Sequence, residues 1–341
     1  MKISRSRRVG TIGILFCSLF LMSCSKPSDD VEMVEGIKLN KGAIIENDGG
    51  NYSNYNYRQG KYEKVNDDEV IGLYEHNSDN YIAQKDGKYI AFYSGKIIEL
   101  SNIEIGDDGL KMSPSGEYLS LYRNIDGVTT YKVIRLSNGE YVDFNTDTGI
   151  SGHYLDWIDS NTLVYYGVNN EGVNGIFTYN LESSEEKLLY NIDGGIVQYL
   201  STDSEGIVIL QETINDEKIL QVINSKTSEV KTISKDITRL YDIVNVDGNY
   251  YVLGEFNDGI LSIYKLQDGK HYRLIFDFPS SIKATRYGLA VDEDGNILFI
   301  GSNSDPELEE IYSISKDGTI RKVSESKNEY SFVKWGCCTK N

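Results

Sequence analysis

The sequence predicts an all-β chain, a β-propeller of four-stranded blades, seven in number. Two interleaved series of hairpin turns and a tyrosine-rich, proline-poor composition carry this reading. With 26 Tyr against 4 Pro, the chain is rich in a residue that suits half-buried strands and poor in one that interrupts them. The first turn series runs through Gly60, Gly95, Gly139, Glu185, Glu229, Gly269 and Gly318, with spacings of 35, 44, 46, 44, 40 and 49 residues. Leu136-Ser137-Asn138-Gly139-Glu140-Tyr141 and Gln267-Asp268-Gly269-Lys270 are typical members. Asn-Gly and Asp-Gly suit tight hairpins because such turns need positive φ.

The second series falls between members of the first. Its turns are Ser113-Pro114-Ser115-Gly116, Ile158-Asp159-Ser160-Asn161, Asp203-Ser204-Glu205-Gly206, Asp247-Gly248 and Asp292-Glu293-Asp294-Gly295. Two hairpins in each period of about 44 residues make four strands per period, the signature of a propeller blade. At the start of the repeat, strands around 42–46, 54–58 and 61–65 lack a first strand. At its end, Tyr330-Ser331-Phe332-Val333-Lys334-Trp335 is a first strand with no successors. Joining that C-terminal strand to the N-terminal blade closes the ring and removes two exposed edges. Six blades is the alternative count, because segment 68–100 is short for a blade. The propeller domain is thus expected over 42–341.

Ser113-Pro114-Ser115-Gly116-Glu117-Tyr118-Leu119 resembles the hallmark of TolB-like and WD-repeat-like bacterial propellers. The resemblance covers roughly residues 42–337 as architecture. Only this copy keeps the proline, and the helical domain that precedes the TolB propeller has no counterpart, so that family's partners do not carry over.

The N-terminus carries a different signal. Lys2, Arg5, Arg7 and Arg8 precede an apolar stretch over 9–22 that is too short to span a bilayer, as in a secretion leader. Leu21-Met22-Ser23-Cys24 resembles a bacterial lipobox. The resemblance implies cleavage after residue 23, lipidation at Cys24 and an acyl anchor outside the cytoplasm. Residues 24–41 read as a flexible acidic tether. Ser25-Lys26 followed by Asp29-Asp30 also resembles the acidic signal that sends some lipoproteins to the cell surface. No second apolar stretch long enough to cross a membrane follows, so membrane attachment is expected through the lipid only.

Loss of the four leader cations takes the formal charge from −18 to −22. Such a surface repels phosphate backbones, which argues against nucleic acid as a partner. Of the four cysteines, only Cys337 and Cys338 stand outside the leader and the lipid site. Adjacent strand residues point to opposite faces, so a bond between these two needs a turn.

Chemistry is sparse. His76, His153 and His271 fall in different repeats without metal-ligand spacing, so neither a metal nor a cofactor is implied. Asp292-Glu293-Asp294-Gly295-Asn296 lacks the closing Glu of a calcium loop and reads as a hairpin turn. No Gly-x-Ser-x-Gly elbow, His-Glu-x-x-His or phosphate loop is present. His153, Asp156 and Trp157, on an inner strand near the funnel mouth, are the candidate ligand-binding residues. Trp157 also fits packing between blades. Asn51-Tyr52-Ser53-Asn54-Tyr55-Asn56-Tyr57 could stack on sugars, but it also fits a half-buried sheet face. The expected function is a non-catalytic binding or scaffold module for an envelope protein or glycan. The alternative is a glycan-active hydrolase or lyase with its site in the funnel. Oligomeric state is not legible.

Overall fold

The computed structural model describes residues 33–335 apart from 67, 105, 285–287, 304–307 and 325–327. Cys24, the leader, Cys337 and Cys338 lie outside the described residues, as does the side chain of Trp335. The described strands form seven antiparallel sheets around a common axis, one per blade. Blade 1 holds Ile44–Asp48, Asn51–Arg58 and Lys61–Asn66. Blade 2 runs from Val70–Glu75 to Lys96–Glu99, and blade 3 from Asp107–Met112 to Glu140–Val142. Blade 4 runs from Thr148–Trp157 to Glu185–Asn191, blade 5 from Ile196–Thr202 to Val230–Ser234 and blade 6 from Ile237–Val246 to Lys270–Arg273. Blade 7 begins with two short inner strands, Ser281–Ile282 and Leu289–Val291, and ends at Ile320–Lys322. Segment 70–99 is a complete blade, so the count is seven and the six-blade alternative falls.

Ring closure follows the expected plan with one refinement. Glu329–Phe332 pairs antiparallel with Ile44–Asp48, placing Phe332 opposite Ile44 and Tyr330 opposite Glu46. It is the missing inner strand of blade 1. The chain then leaves that sheet at Val333, and Lys334–Trp335 runs parallel to the inner strand of blade 2. The C-terminal strand therefore clasps two blades rather than one.

The core is divided by the architecture. Seven apolar clusters fill the seven interfaces between neighbouring blades. Period-2 alternation supplies them, since successive strand residues face opposite neighbours. Leu119 and Leu121 of blade 3 thus pack towards blade 2, while Tyr118 and Val133 pack towards blade 4. Asn54 ties blade 1 to blade 2 in both senses, its Nδ2 donating to Ile71 O (3.0 Å) and its Oδ1 accepting from Ile71 N (2.8 Å). The tyrosine-rich strand 51–58 is thus largely an inter-blade face, although Tyr52 is exposed. Both turn series predicted above lie at one end of the strands, and this end is called the turn face below.

Residues 33–41 depart from the expected flexible tether. Leu39 is buried, and Val34 N donates to Gly95 O at 2.9 Å. Asn56 bonds Asn40 N (2.7 Å) and Lys38 O (3.0 Å). Ile37 and Leu39 are apolar, and the blade 1–blade 2 interface takes them in. This segment is a strap on the propeller.

Closure depends on Tyr330 and Phe332, both buried between blades 7 and 1. Tyr330→Ala should lower stability by about 3 kcal/mol, the usual cost of an aromatic truncation in a core. Chemical denaturation should show it as a lower midpoint, with unfolding still a single transition. Removal of residues 328–341 should go further, leaving an open edge that associates on gel filtration.

Candidate functional site: the channel belt and the blade 3–blade 4 seam

The innermost strands of blades 2 to 6 all carry register shifts: at Ile71/Leu73, Asp108/Lys111, Ile150/Leu155, Val197/Tyr199, and twice in blade 6, at Ile237/Arg239 and Leu240/Asp242. Blade 7 breaks its inner strand between Ile282 and Leu289. Bulges of this kind redirect side chains out of the regular alternation. Here they place polar groups along the channel.

A belt of polar contacts results. Lys111 Nζ of blade 3 lies 3.1 Å from Asp156 Oδ2 of blade 4. The same Asp156 oxygen accepts from Thr202 N of blade 5 (3.2 Å), and Asp156 Oδ1 accepts from Trp157 N (2.9 Å). Tyr199 of blade 5 donates its hydroxyl to Asp242 Oδ1 of blade 6 (3.2 Å). Asp242 Oδ1 also accepts from Ile243 N (2.9 Å), and its Oδ2 accepts from Leu289 N of blade 7 (2.7 Å). Gly288 makes the last bond possible. Its φ is +65°, and a Cβ there would lie 2.4 Å from Asp242 Oδ2.

Burial pushes the Asp242 carboxyl above its usual range, against the lowering effect of the Leu289 and Ile243 N–H groups, Tyr199 and the Lys334 charge. Burial, followed by the Asp242 charge, likewise raises the Tyr199 phenol. Desolvation disfavours the charged form of each group.

The three candidate residues part company. Asp156 belongs to the belt. Trp157 is fully buried, its Nε1 donating to Lys111 O (3.1 Å) and Ser120 Oγ (3.0 Å), with its ring stacked on Tyr118. An enclosed indole with its donor satisfied offers nothing to a ligand, and Trp157 is corrected to a core residue. His153 is exposed on the four-residue bulge of blade 4. It sits 4.8 Å from Tyr154 and 6.4 Å from Tyr122 between ring centroids.

Tyr122 and Tyr131 oppose each other on neighbouring strands of blade 3, 6.2 Å apart. With Asn124, Thr129 and His153 they line the upper part of the blade 3–blade 4 interface, away from the turn face. The Tyr131 hydroxyl donates to Gly152 O of blade 4, and Asp108 lies beside that of Tyr122.

His76 lies in a turn of blade 2, and His271 stacks on Phe256 at 4.3 Å. Among the described residues no three His, Cys, Asp or Glu side chains converge as metal ligands would. In the acidic turn of blade 7, Asp292 Oδ1 accepts from Asp294 N (3.0 Å) and Asn296 N (2.8 Å), an ordinary Asx-stabilised hairpin.

No family model matches the sequence, and no curated protein is significantly similar to it. Solved structures share its fold. A puromycin hydrolase superposes with a TM-score of 0.56 at 10% identity, over 88% of this chain and 55% of that one. The oligogalacturonate lyase of Vibrio parahaemolyticus gives 0.53 at 12% identity, over 86% of each chain. Dipeptidyl peptidase 4 of Porphyromonas gingivalis gives 0.51 at 14%, over 86% of this chain and 53% of that one. At such identities the likeness is one of fold.

Asp242 generates a pH signature. Burial raises its folded pKa above the ordinary carboxylate range, so the folded state holds the proton more tightly than the unfolded chain. Its contribution to stability therefore grows as pH falls through the raised folded pKa and is complete below the unfolded value. Asp242→Asn abolishes this titration. It also sets an amide donor against Leu289 N–H, costing about 1–3 kcal/mol at pH 7. Melting temperatures from pH 7 down to pH 4 should show the wild-type advantage widening with acid. A constant or shrinking gap would contradict the assignment.

Proposed function

We propose that the protein is a non-catalytic binding propeller, held outside the cytoplasm by a lipid on Cys24, that takes its ligand at the channel mouth beside blades 3 and 4. One observation carries the binding reading. The belt carboxylates Asp156 and Asp242 are held by backbone N–H groups of their own strand and of the next blade. A carboxylate fixed in this way serves the ring, whereas an acid–base catalyst must be able to reach a substrate proton. The mouth, by contrast, offers aromatic faces and an exposed imidazole. The lipid anchor rests on Leu21-Met22-Ser23-Cys24 and the basic leader before it. The strong negative charge favours attachment through that lipid over broad contact with anionic headgroups.

A second reading, a hydrolase or lyase acting in the channel, draws on one feature. A carboxyl whose pKa is raised by burial and which accepts from a phenol, as at Asp242 and Tyr199, is a kind of group found among catalytic acids. Turnover of oligosaccharides by the purified chain, lost in Asp242→Asn, would favour it.

The test of the first reading is capture from native membranes with the intact protein beside a Cys24→Ala form. The intact protein should fractionate with membranes, and Cys24→Ala should be released in soluble form. A stoichiometric protein or glycan should be retained by both, with no product formed from it. Release of neither form from the membrane would remove the lipid assignment, and consumption of the captured material would remove the non-catalytic one.

A further inference from the structure

The interface between blades 3 and 4 changes character along its height. Near the turn face it is closed by Tyr118, Val133, Leu155 and Trp157. Further along the same strands, the residues with the same facing are Tyr122 and Asn124 on one and Thr129 and Tyr131 on the other, with His153 opposite. Tyr122 and Tyr131 are half-buried, and His153 is exposed. The apolar seam thus gives way to a half-exposed aromatic shelf.

The rings are fixed before any ligand arrives. Gly109, at φ +62°, lies so close beneath Tyr122 that a Cβ would sit 2.1 Å from its Cε1. Asp108 lies beside the Tyr122 hydroxyl, and the Tyr131 hydroxyl donates to Gly152 O. Asn124 donates to Thr129 Oγ1 at 3.3 Å and accepts from Gly127 N at 3.1 Å. Rings locked in this way lose little entropy on binding. Among the described residues, no hydrogen-bond partner is recorded for the His153 imidazole, whose neighbours are the Tyr122 and Tyr154 rings. It therefore presents both a donor and an acceptor at the edge of an aromatic shelf.

We infer that this aromatic surface binds a neutral glycan, with one pyranose ring lying against the Tyr122–Tyr131–His153 shelf and its hydroxyls bonding the imidazole. This rests on the binding reading above and gives it a ligand class. The apolar C–H face of a sugar ring suits an aromatic face, and its rim of hydroxyls suits a group that both donates and accepts. Charge selects within the class. Asp108, paired in register with Tyr122, is the acid on this face, Arg123 is turned to the opposite face and engaged there by Glu104 and Asp107, and the whole chain carries −18. A polyanionic sugar such as an oligogalacturonate is repelled.

The experiment is calorimetry on the full chain with cello-, N-acetylchito-, malto- and manno-hexaose, and with hexagalacturonate as the charged comparator. At least one neutral hexamer should bind, and hexagalacturonate should bind at least tenfold more weakly. His153→Ala should weaken the neutral sugar about tenfold, a loss typical of one anchoring side chain, with its melting temperature unchanged. Tyr131→Phe keeps the ring and loses only its tie to Gly152, so it should weaken binding less than His153→Ala does. Absence of binding to all four neutral sugars overturns the inference, as does preference for hexagalacturonate or indifference to His153→Ala. Capture of a protein partner with no sugar bound overturns the glycan class but leaves the binding reading standing. Consumption of a bound neutral sugar keeps the class and removes the non-catalytic reading.

Discussion

Everything in this propeller depends on the pairing of Glu329–Phe332 with Ile44–Asp48. Each blade alone is a small twisted sheet with two apolar faces. Those faces are buried only because each blade has a neighbour on either side. A ring supplies neighbours to all seven, and it exists only if its ends are joined. Backbone hydrogen bonds join them with direction and register, and Tyr330 and Phe332 then add apolar burial to the same seam. The parallel step of Lys334–Trp335 onto blade 2 holds the clasp from its far side.

Within the ring, the belt in the channel solves a related problem. The inner strands carry register shifts that interrupt the regular ladder and free backbone N–H groups. Asp156 and Asp242 accept N–H groups from their own strand and from the next blade, so that the bulges leave fewer bare backbone donors. The raised proton affinity of Asp242 is the electrostatic cost of this arrangement. It is local, and the backbone bonds that Asp242 accepts offset part of it.

Much of the fold was legible because turns have strict conformational needs. Gln59-Gly60, Ser94-Gly95 and Asp268-Gly269 have both residues at positive φ, the requirement that made the series visible. Closure was legible from an orphan strand at each end. The packing of 33–41 was not, because Ile37 and Leu39 stand in a short stretch with no clear periodicity. The site was legible only in part. His153 and Asp156 were singled out, yet Tyr199, Asp242 and Lys111 were missed. In a chain with 52 acidic residues one aspartate carries no signal. What marked Asp242 was its place inside an inner strand ahead of an apolar residue, as in Leu155-Asp156-Trp157 and Tyr241-Asp242-Ile243. Trp157 was drawn into the ligand set by position alone. Strand alternation assigns it to the blade 3 interface, where Ser120 and Lys111 meet its indole nitrogen.

The clasp also imposes an order in time. Asn47 and Glu329, bonded side by side across the seam, are 282 residues apart in sequence. At synthesis speeds of about 5–20 residues per second, roughly 15–60 s pass between the making of one and the other. Until Glu329–Phe332 is made, blade 1 has three strands and an open inner edge, and blade 7, once made, is covered by blade 6 on one side only. The half-made chain is an arc whose two ends expose the surfaces that will later meet each other. Whatever protects those surfaces while the chain grows is as much a condition of the folded ring as the seven interfaces themselves.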